Sequence, residues 1–578
     1  MKKYKLNLRE NQNTLKILIK HLSCKKMSFK NIEKLLRKYP RNDGGMFSKS
    51  QVLYAYKMLS LQNKISLNKS EQKYFHENIK MKYIRSLSGV VPVAVLTKPF
   101  PCPGKCIFCP NDIKMPKSYL SSEPGAQRAY VHKFDPYLQT YNRLVALKNI
   151  GHKVQKIELI ILGGTWSSYP KDYQMWFIKR CFDAMNDFTN DSDFIKIRKK
   201  KDESFEERIK QILPKNKTYN LAVSKNILFN VREHSTIESL NKAHKKNEFA
   251  FSRCVGLVIE TRPDVINEEE AIWLRRLGVT KVQLGVQSTS SRILKLNKRG
   301  HTLKDSEKAV NILRKAGFKI HLHWMCNLYG STPEKDKRDF KKIFLNTSLR
   351  PDELKVYPCS LVSGTELVGY YKRGLWKPYS SKELLNILSF SYINTPRYCR
   401  ISRMIRDIPS TDILVGNKKT NFRQLVEKNI KNHNIVEIRS REIKGSSFNR
   451  KDIKFKSTFY KTGVSKEYFL EYILPDNTLL GFLRLSLPFN CSKSIVSELN
   501  NSAIIREVHI YGPSLGISSE ERSVQHLGLG TKLIQKAQDI SKKKGYYKIS
   551  VISSVGTREY YRKLGFKDGN LYQFKILI

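Results

Sequence analysis

Residues 101–110 read PCPGKCIFCP and place Cys102, Cys106 and Cys109 in the spacing C-x3-C-x2-C. A 4Fe-4S cubane ordinarily takes four cysteine thiolates. A short loop that offers three leaves one iron open, and an open iron can chelate a small molecule. A zinc knuckle short of its fourth ligand, or three unrelated thiols, would place no demand on the flanking sequence. Here the loop follows an apolar strand pattern, VPVAVL, from Val91 to Leu96, as the first strand of a barrel enzyme would require.

Working outward, the strand pattern recurs in KIELIILGGTW from Lys156, CVGLVIETRPD from Cys254, KVQLGVQS from Lys281, FKIHLHWMCNLYG from Phe318 and ELKVYPCSLV from Glu353. Helical patterns such as DPYLQTYNRLVALKNIG and LKDSEKAVNILRKAG lie between them. Short strands, apolar on both faces and alternating with helices, predict parallel strands under helices. Side chains at the C-terminal ends of such strands face an active site. This pattern resembles the radical S-adenosylmethionine (SAM) enzymes, and the resemblance implies a partial (β/α)6 barrel holding a 4Fe-4S cluster and SAM. It implies that the turn Gly163, Gly164 and Thr165 receives the SAM amino group on its backbone, with Thr165 in place of the usual acid. Glu260, ending the third strand, is the expected partner of the adenosyl ribose or the SAM amino group. Gln283, Gln287, His321 and His323 are expected to line the cavity.

The chain has 578 residues, 40% hydrophobic, with a formal net charge of +55. Residues 1–85 carry 21 Lys or Arg against 5 Asp or Glu, and LKILIKHL, IEKLLRKY and VLYAYKML space their apolar residues as helices do. They read as a basic helical domain whose field attracts polyanions, chiefly nucleic acid. Abundant Lys, Asn and Ile throughout the chain also fit coding bias as a source of part of that charge. No apolar run is long enough for a membrane span, MKKYKLNLRENQN has no signal-peptide core, and scattered cysteines exclude a disulfide framework. A cytoplasmic, reducing setting is expected. The barrel is expected over 86–374, interrupted at 188–252 by a basic insertion, with a linker over 375–435.

From residue 436 to 578 a second α/β pattern begins. QHLGLGTKLIQKAQ, starting at Gln525, reads Q-x-x-G-x-G and opens a helix. Inward-turned backbone N–H groups and a helix N-terminus suit a pyrophosphate. With REVHIYG before it and GTREYYRKLGF after it, the segment resembles the GNAT acetyltransferases. That resemblance implies coenzyme A phosphates on Gln525, Gly528 and Gly530, and a catalytic phenol from Tyr560 or Tyr561.

Both halves in one chain resemble the family of the Elongator catalytic subunit and its stand-alone bacterial and archaeal relatives, the tRNA carboxymethyluridine synthases. The strings that carry this are CPGKCIFCP, EPGAQRA, LGGTW, IETRPD, LGVQS, NKRGH, LKVYP, REVHIYG, QHLGLGTKLI and GTREYYRKLGF. The resemblance implies attack of an acetyl-derived carbon radical on C5 of the wobble uridine in the tRNA anticodon stem-loop, with acetyl-CoA as carbon source. It implies acetyl-CoA contacts from Lys156, from Glu507, Val508, His509 and Ile510, from Leu529, Gly530 and Thr531, and from Tyr561. It also implies an electron donor for the cluster, and no Elongator-like accessory subunits are specified by this chain. Where some relatives carry a zinc-binding cysteine cluster, this chain reads EIRSREIKG, with Glu437 and Ser440 in place of cysteines, so no zinc is expected there. The rival readings are a protein lysine acetyltransferase with a structural Fe-S/SAM domain, and a tRNA-binding module without turnover.

Overall fold

The computed structural model describes residues 6–80, 88–193, 195, 219–226, 233–406, 408–419, 421–444, 448–490, 492–512 and 528–577. Gln525 and much of the 188–252 insertion lie outside the described residues.

The basic N-terminal region is a four-helix unit: α1 Gln12–Cys24, α2 Phe29–Lys38, α3 Lys49–Leu61 and α4 Lys69–Ile79. Ser48 and Asn68 start α3 and α4 with reciprocal capping boxes to Gln51 and Glu71, which satisfies backbone donors that a helix start leaves open. Leu15, Ile19, Leu22, Val52, Leu59 and Phe75 close a core of their own. The three apolar patterns read from the sequence are α1–α3. The fourth helix buries only Phe75, Asn78 and Ile79, too sparse a stripe to stand out by periodicity.

The barrel strands are β1 Val91–Leu96, β2 Lys156–Leu162, β3 Arg253–Thr261, β4 Lys281–Gln287, β5 Lys319–Cys326 and β6 Glu353–Pro358. Each pairs in parallel with the next. Crossover helices α5 Pro136–Lys148, α6 Lys171–Asp187, α7 Glu268–Arg276, α8 Leu303–Lys315 and α9 Pro333–Leu345 separate them. The six expected β/α units are present, and the sheet stays open between its first and last strands. A seventh strand, β7 Arg400–Met404, extends it in parallel beyond β6. It lies in the stretch expected to be a linker, after α10 Ser381–Ile393. Its residues RISRM interleave arginine with apolar side chains, and Arg400 is spent on an ion pair with Glu442, so no apolar run announced it.

The C-terminal sheet holds β8 Lys454–Lys461, β9 Ser465–Ile473, β10 Leu479–Pro488, β11 Ser502–Ile510, β12 Lys548–Val551, β13 Lys567–Asp568 and β14 Gln573–Ile576, in the order β8-β9-β10-β11-β12-β14-β13. Only β11 and β12 pair in parallel. Helix α11, Leu529–Lys543, packs its Leu533, Ile534 and Ala537 against Leu483, Leu485 and Ile505. The opposite face of the sheet meets the barrel. Ile504, Tyr511, Ile552 and Tyr572 belong to the same continuous core as Leu257, Ile320 and Leu354.

Candidate functional site

The cysteine loop sits beyond the C-terminal end of β1. Cys106 is buried, and Cys102 and Cys109 are half-buried. The Cys109 N–H donates to the Cys106 carbonyl at 3.1 Å, folding the last two ligands into one turn. Arg299 Nη1 donates to Cys106 Sγ at 2.9 Å, and its Nη2 donates to the Gly285 carbonyl at 2.6 Å. Arg262, locked by Asp264 at 2.8 Å, donates to the Arg299 carbonyl at 2.6 Å. A hydrogen bond from Cys109, with the two guanidiniums, holds the Cys106 thiol well below its ordinary range against the upward push of burial. The same bond, with burial, pushes Cys109 well above it. A Cβ on Gly104 would stand 2.3 Å from Arg262 Nη1, so the glycine of CPGKC makes room for that guanidinium.

Three thiols, one already favoured as thiolate and backed by two cations, suit a cluster that binds thiolates. Among the described residues no group of three or more His, Cys, Asp or Glu side chains gathers as a single metal ion would need. A cubane spreads its ligands over separate irons, so its thiolates need not converge on one point. Glu437 and Ser440 bond each other and the neighbouring backbone. The Glu437 carboxylate is fully buried and accepts from the N–H groups of Ile401 at 3.1 Å, Arg439 at 2.9 Å and Ser440 at 2.6 Å, and from Ser440 Oγ at 2.6 Å.

Next to the loop, β2 ends on Gly163 and Gly164, at φ +153° and +89°. A Cβ on Gly163 would lie 1.8 Å from Thr97 Oγ1, and one on Gly164 would lie 3.2 Å from the Lys117 carbonyl. Only glycine fits both the conformation and the space. Thr165 Oγ1 lies 3.5 Å from Cys102 Sγ. Glu260, at the end of β3, accepts from the Tyr119 hydroxyl at 3.1 Å, and His323 Nδ1 stands 3.6 Å from its other oxygen. Gln283 Oε1 accepts from His323 Nε2 at 3.0 Å and from Lys355 Nζ. Burial, with Lys355 and His321, keeps His323 neutral by lowering its pKa well below the ordinary value. Glu260, Gln283 and His323 thus come together inside the barrel. Gln287 sits at the rim with φ +69°, its Oε1 buried without a hydrogen bond. His321 turns instead to Ser402 Oγ at 2.8 Å. Arg262, Arg299, Tyr119 and Lys355 were not singled out in the sequence, although three of them lie in or beside the quoted strings IETRPD, NKRGH and LKVYP.

In the second sheet, β11 pairs with β12 only from Ser502 to Ile505. Among the described residues their ladder ends at Ile505, so Glu507, Val508 and His509 carry β11 past its last described pairing with β12. Against the upward push of burial, Lys319 and Arg484 hold Glu507 below its ordinary value. His509 Nε2 is buried without a hydrogen bond, and burial lowers its pKa. Gly528 caps α11 at φ +66° with open space where a Cβ would be. A Cβ on Gly530 would lie 2.7 Å from the Tyr560 hydroxyl, which also bonds Thr531. Leu529 is buried under the helix start. Tyr560 is 41% exposed over that start, whereas Tyr561 is 6% exposed in the core against Phe566.

Lys156 opens β2 at the far end of the barrel, paired with Arg253 in the ladder. The turn after β12 is wedged there. Ser554 Oγ donates to the Cys254 carbonyl at 2.8 Å, and a Cβ on Gly556 would stand 2.7 Å from that of Arg253. Lys156 therefore lies at the junction with the second domain. An ion-pair network reaches the same junction and crosses it through Lys319–Glu507 and Arg506–Asp352. Lys281 binds Glu158 at 2.6 Å and Glu353 at 3.1 Å, and Lys319 joins Glu353 to Glu507. Arg484 binds Glu507 at 2.9 Å, and Arg506 binds Asp352 at 2.6 Å and Glu467 at 2.8 Å. β11 thus meets the N-terminal ends of the barrel strands, and the cysteine loop crowns their C-terminal ends, about 20 Å away along a seven-residue strand. Gln283, His321, His323 and Lys355 lie between.

Residues 101–343 match the Radical SAM superfamily, residues 351–432 the Radical_SAM C-terminal domain, and residues 438–566 the Acetyltransferase (GNAT) family. The chain is 38% identical over 525 residues to the tRNA uridine(34) acetyltransferase of Methanocaldococcus jannaschii, covering 88% of each. It is 31% identical over 528 residues to Elongator complex protein 3 of Homo sapiens, covering 88% of this chain and 87% of that one. An archaeal Methanocaldococcus infernus Elp3 structure with a deleted N-terminus superimposes with a TM-score of 0.67 at 35% identity, covering 85% of this chain and all of that one. With a radical SAM barrel and a GNAT sheet in one chain this similar to those proteins over most of its length, it belongs to the family of the tRNA uridine(34) acetyltransferases and Elongator complex protein 3.

Proposed function

We propose that this chain modifies the wobble uridine of tRNA anticodons, drawing a two-carbon unit from acetyl-CoA to form a 5-carboxymethyluridine-type group. The observation that carries this reading is the fusion itself: the barrel that presents the Arg-backed cysteine loop and the sheet that holds β11 share one continuous core. Cys102, Cys106 and Cys109 would hold a 4Fe-4S cluster, which supplies reductive cleavage of bound SAM to a 5'-deoxyadenosyl radical, fed by an external electron donor. Gly163 and Gly164 let the backbone close on SAM, and Glu260, fixed by Tyr119, offers a carboxylate acceptor for its hydroxyl or amino donors. Glu507 to Ile510 hold the acyl arm along the strand edge, and the start of α11 with Gly528 and Gly530 receives phosphates. The Tyr560 hydroxyl, beside Gly530 and Thr531, donates a hydrogen bond toward the thioester end. Neutral His509 is placed to accept a proton from a water that attacks the thioester. The basic helical domain adds backbone attraction for the tRNA.

The test is anaerobic incubation of reconstituted protein with SAM, reductant, acetyl-CoA and tRNA, followed by nucleoside analysis. Carboxymethyluridine in the digest supports the reading. Acetylated protein with unchanged nucleosides would replace it with the protein lysine acetyltransferase reading.

A further inference from the structure

The acetyltransferase sheet ends on an edge strand, β8, reading KFKSTFYK over 454–461. Phe455 and Phe459 are 40% and 48% exposed. They point to one face of the strand, directly across from Tyr472 and Tyr468 of β9, with ring centroids 5.7 Å and 5.2 Å apart. The four rings form a row along the margin of α11, where Lys536 Nζ lies 5.8 Å from the Phe455 ring. At the other end of the row Lys461 and Lys466 stand directly opposite each other on the same face, a pairing in which like charges repel. The acids of β9 turn away: Glu467 and Glu471 are buried on the other face with Arg506 and Arg441.

Lysines on an edge strand guard against unwanted strand pairing. That role accounts for the lysines and leaves two exposed phenylalanines among them without a purpose. Bases stacked on the rings, with phosphates between the lysines, account for both. Aromatic side chains interleaved with cations are how proteins hold unpaired nucleotides.

We propose that β8 and β9 form a docking platform for single-stranded RNA, with bases on Phe455 and Phe459 and phosphates at Lys461, Lys466 and Lys536. The proposal rests on the tRNA reading above and locates where unpaired nucleotides of that substrate dock. The platform lies about 15 Å across the sheet from β11, three strand spacings.

The experiment uses the full chain and a labelled oligouridine, with affinity followed by fluorescence anisotropy over a salt series. The double variant Phe455→Ser, Phe459→Ser should bind about tenfold more weakly with an unchanged salt slope, because stacking is lost and charge is not. The double variant Phe455→Tyr, Phe459→Tyr should bind like the parent. Lys461→Ala with Lys466→Ala should lower the salt slope by about 1.4. Acetyl-CoA affinity by calorimetry should stay at the parent value in each. Independently of any variant, an oligonucleotide carrying 4-thiouridine should photocrosslink to the 454–472 peptide of the parent chain. Parent-like affinity of the serine variant, or crosslinks elsewhere only, would overturn the platform while tRNA modification could still proceed. An oligouridine bound as proposed by a chain that never modifies tRNA would retain the platform and sink the functional reading. Capture of a peptide on β8 that leaves RNA binding unaffected would make the surface a protein site and overturn the proposal.

Discussion

Arg299 Nη1 lies 2.9 Å from Cys106 Sγ, donated from a residue 193 positions away. That separation is why the three cysteines were legible in the sequence and their counter-charge was not: spacing reports only local partners. Arg299→Met removes a charged hydrogen bond of about 1.5–3 kcal/mol and leaves Arg262 to carry the compensation alone. The expected outcome is lower iron retention after reconstitution, measured as iron per chain, with the melting temperature nearly unchanged. Gly163→Ala is predicted to abolish SAM binding by calorimetry, since its Cβ would meet Thr97 Oγ1 at 1.8 Å. His244 is a second residue that periodicity could not single out. It packs edge-on to Phe182 with Nε2 unpartnered, and burial, with Arg558 and Arg275, lowers its pKa to about 3. A depressed histidine pKa means that the unfolded chain takes up the proton first. Its neutral form therefore stabilises the fold fully above pH of about 6.5, and stability falls between there and about 3 by about 1.4 kcal/mol per unit. His244→Phe should flatten the decline in melting temperature between pH 6.5 and 5 relative to the parent chain.

At the scale of elements, β11 does most to define the proposed acyl site. It is a full partner of β10, yet it keeps β12 only as far as Ile505. Six barrel strands were readable because parallel strands buried on both faces are continuous apolar runs. The seventh was hidden because Arg400 and Arg403 interrupt RISRM. The short β11–β12 ladder could not be read at all, since REVHIYG looks like any strand until its described pairing stops at Ile505. Both adjacent tyrosines are candidates for the catalytic phenol by resemblance, and Tyr561 alone is the expected acetyl-CoA contact, but the helix start separates them. Tyr560 touches Gly530 and Thr531, and Tyr561 fills the core. Tyr560→Phe should weaken acetyl-CoA binding by about threefold to tenfold, the worth of one hydrogen bond, with the fold intact. Tyr561→Phe should leave that affinity within about twofold. Titration calorimetry distinguishes them, and the reverse ranking would reassign the contact.

At the scale of the molecule, the barrel and the acetyltransferase sheet are joined by a shared apolar core and by charges that neither domain could bury alone. Asp352, at the foot of β6, is held well below the carboxylate range, against the push of burial, by Arg506 and Arg484 of the other domain. Removing one partner of such a pair costs about 3–5 kcal/mol, so Arg506→Met should lower the melting temperature and loosen the junction. Hydrogen exchange would report that as faster exchange in β11 and in the start of β6, with β1 and β2 unaffected. The arrangement also sets the problem that the enzyme solves. On the proposed reading the two-carbon unit would enter at the foot of the barrel, and the cysteine loop stands at its crown, with a polar interior between them. The most direct test is to supply acetyl-CoA carrying carbon-13 at both acetyl carbons to the reconstituted chain with SAM, reductant and tRNA, and to weigh the anticodon nucleosides. A wobble uridine that has gained both labelled carbons, with 5'-deoxyadenosine formed alongside, is the predicted result. SAM cleaved and acetyl-CoA hydrolysed with no labelled carbon in any nucleoside would contradict the coupling of the two ends.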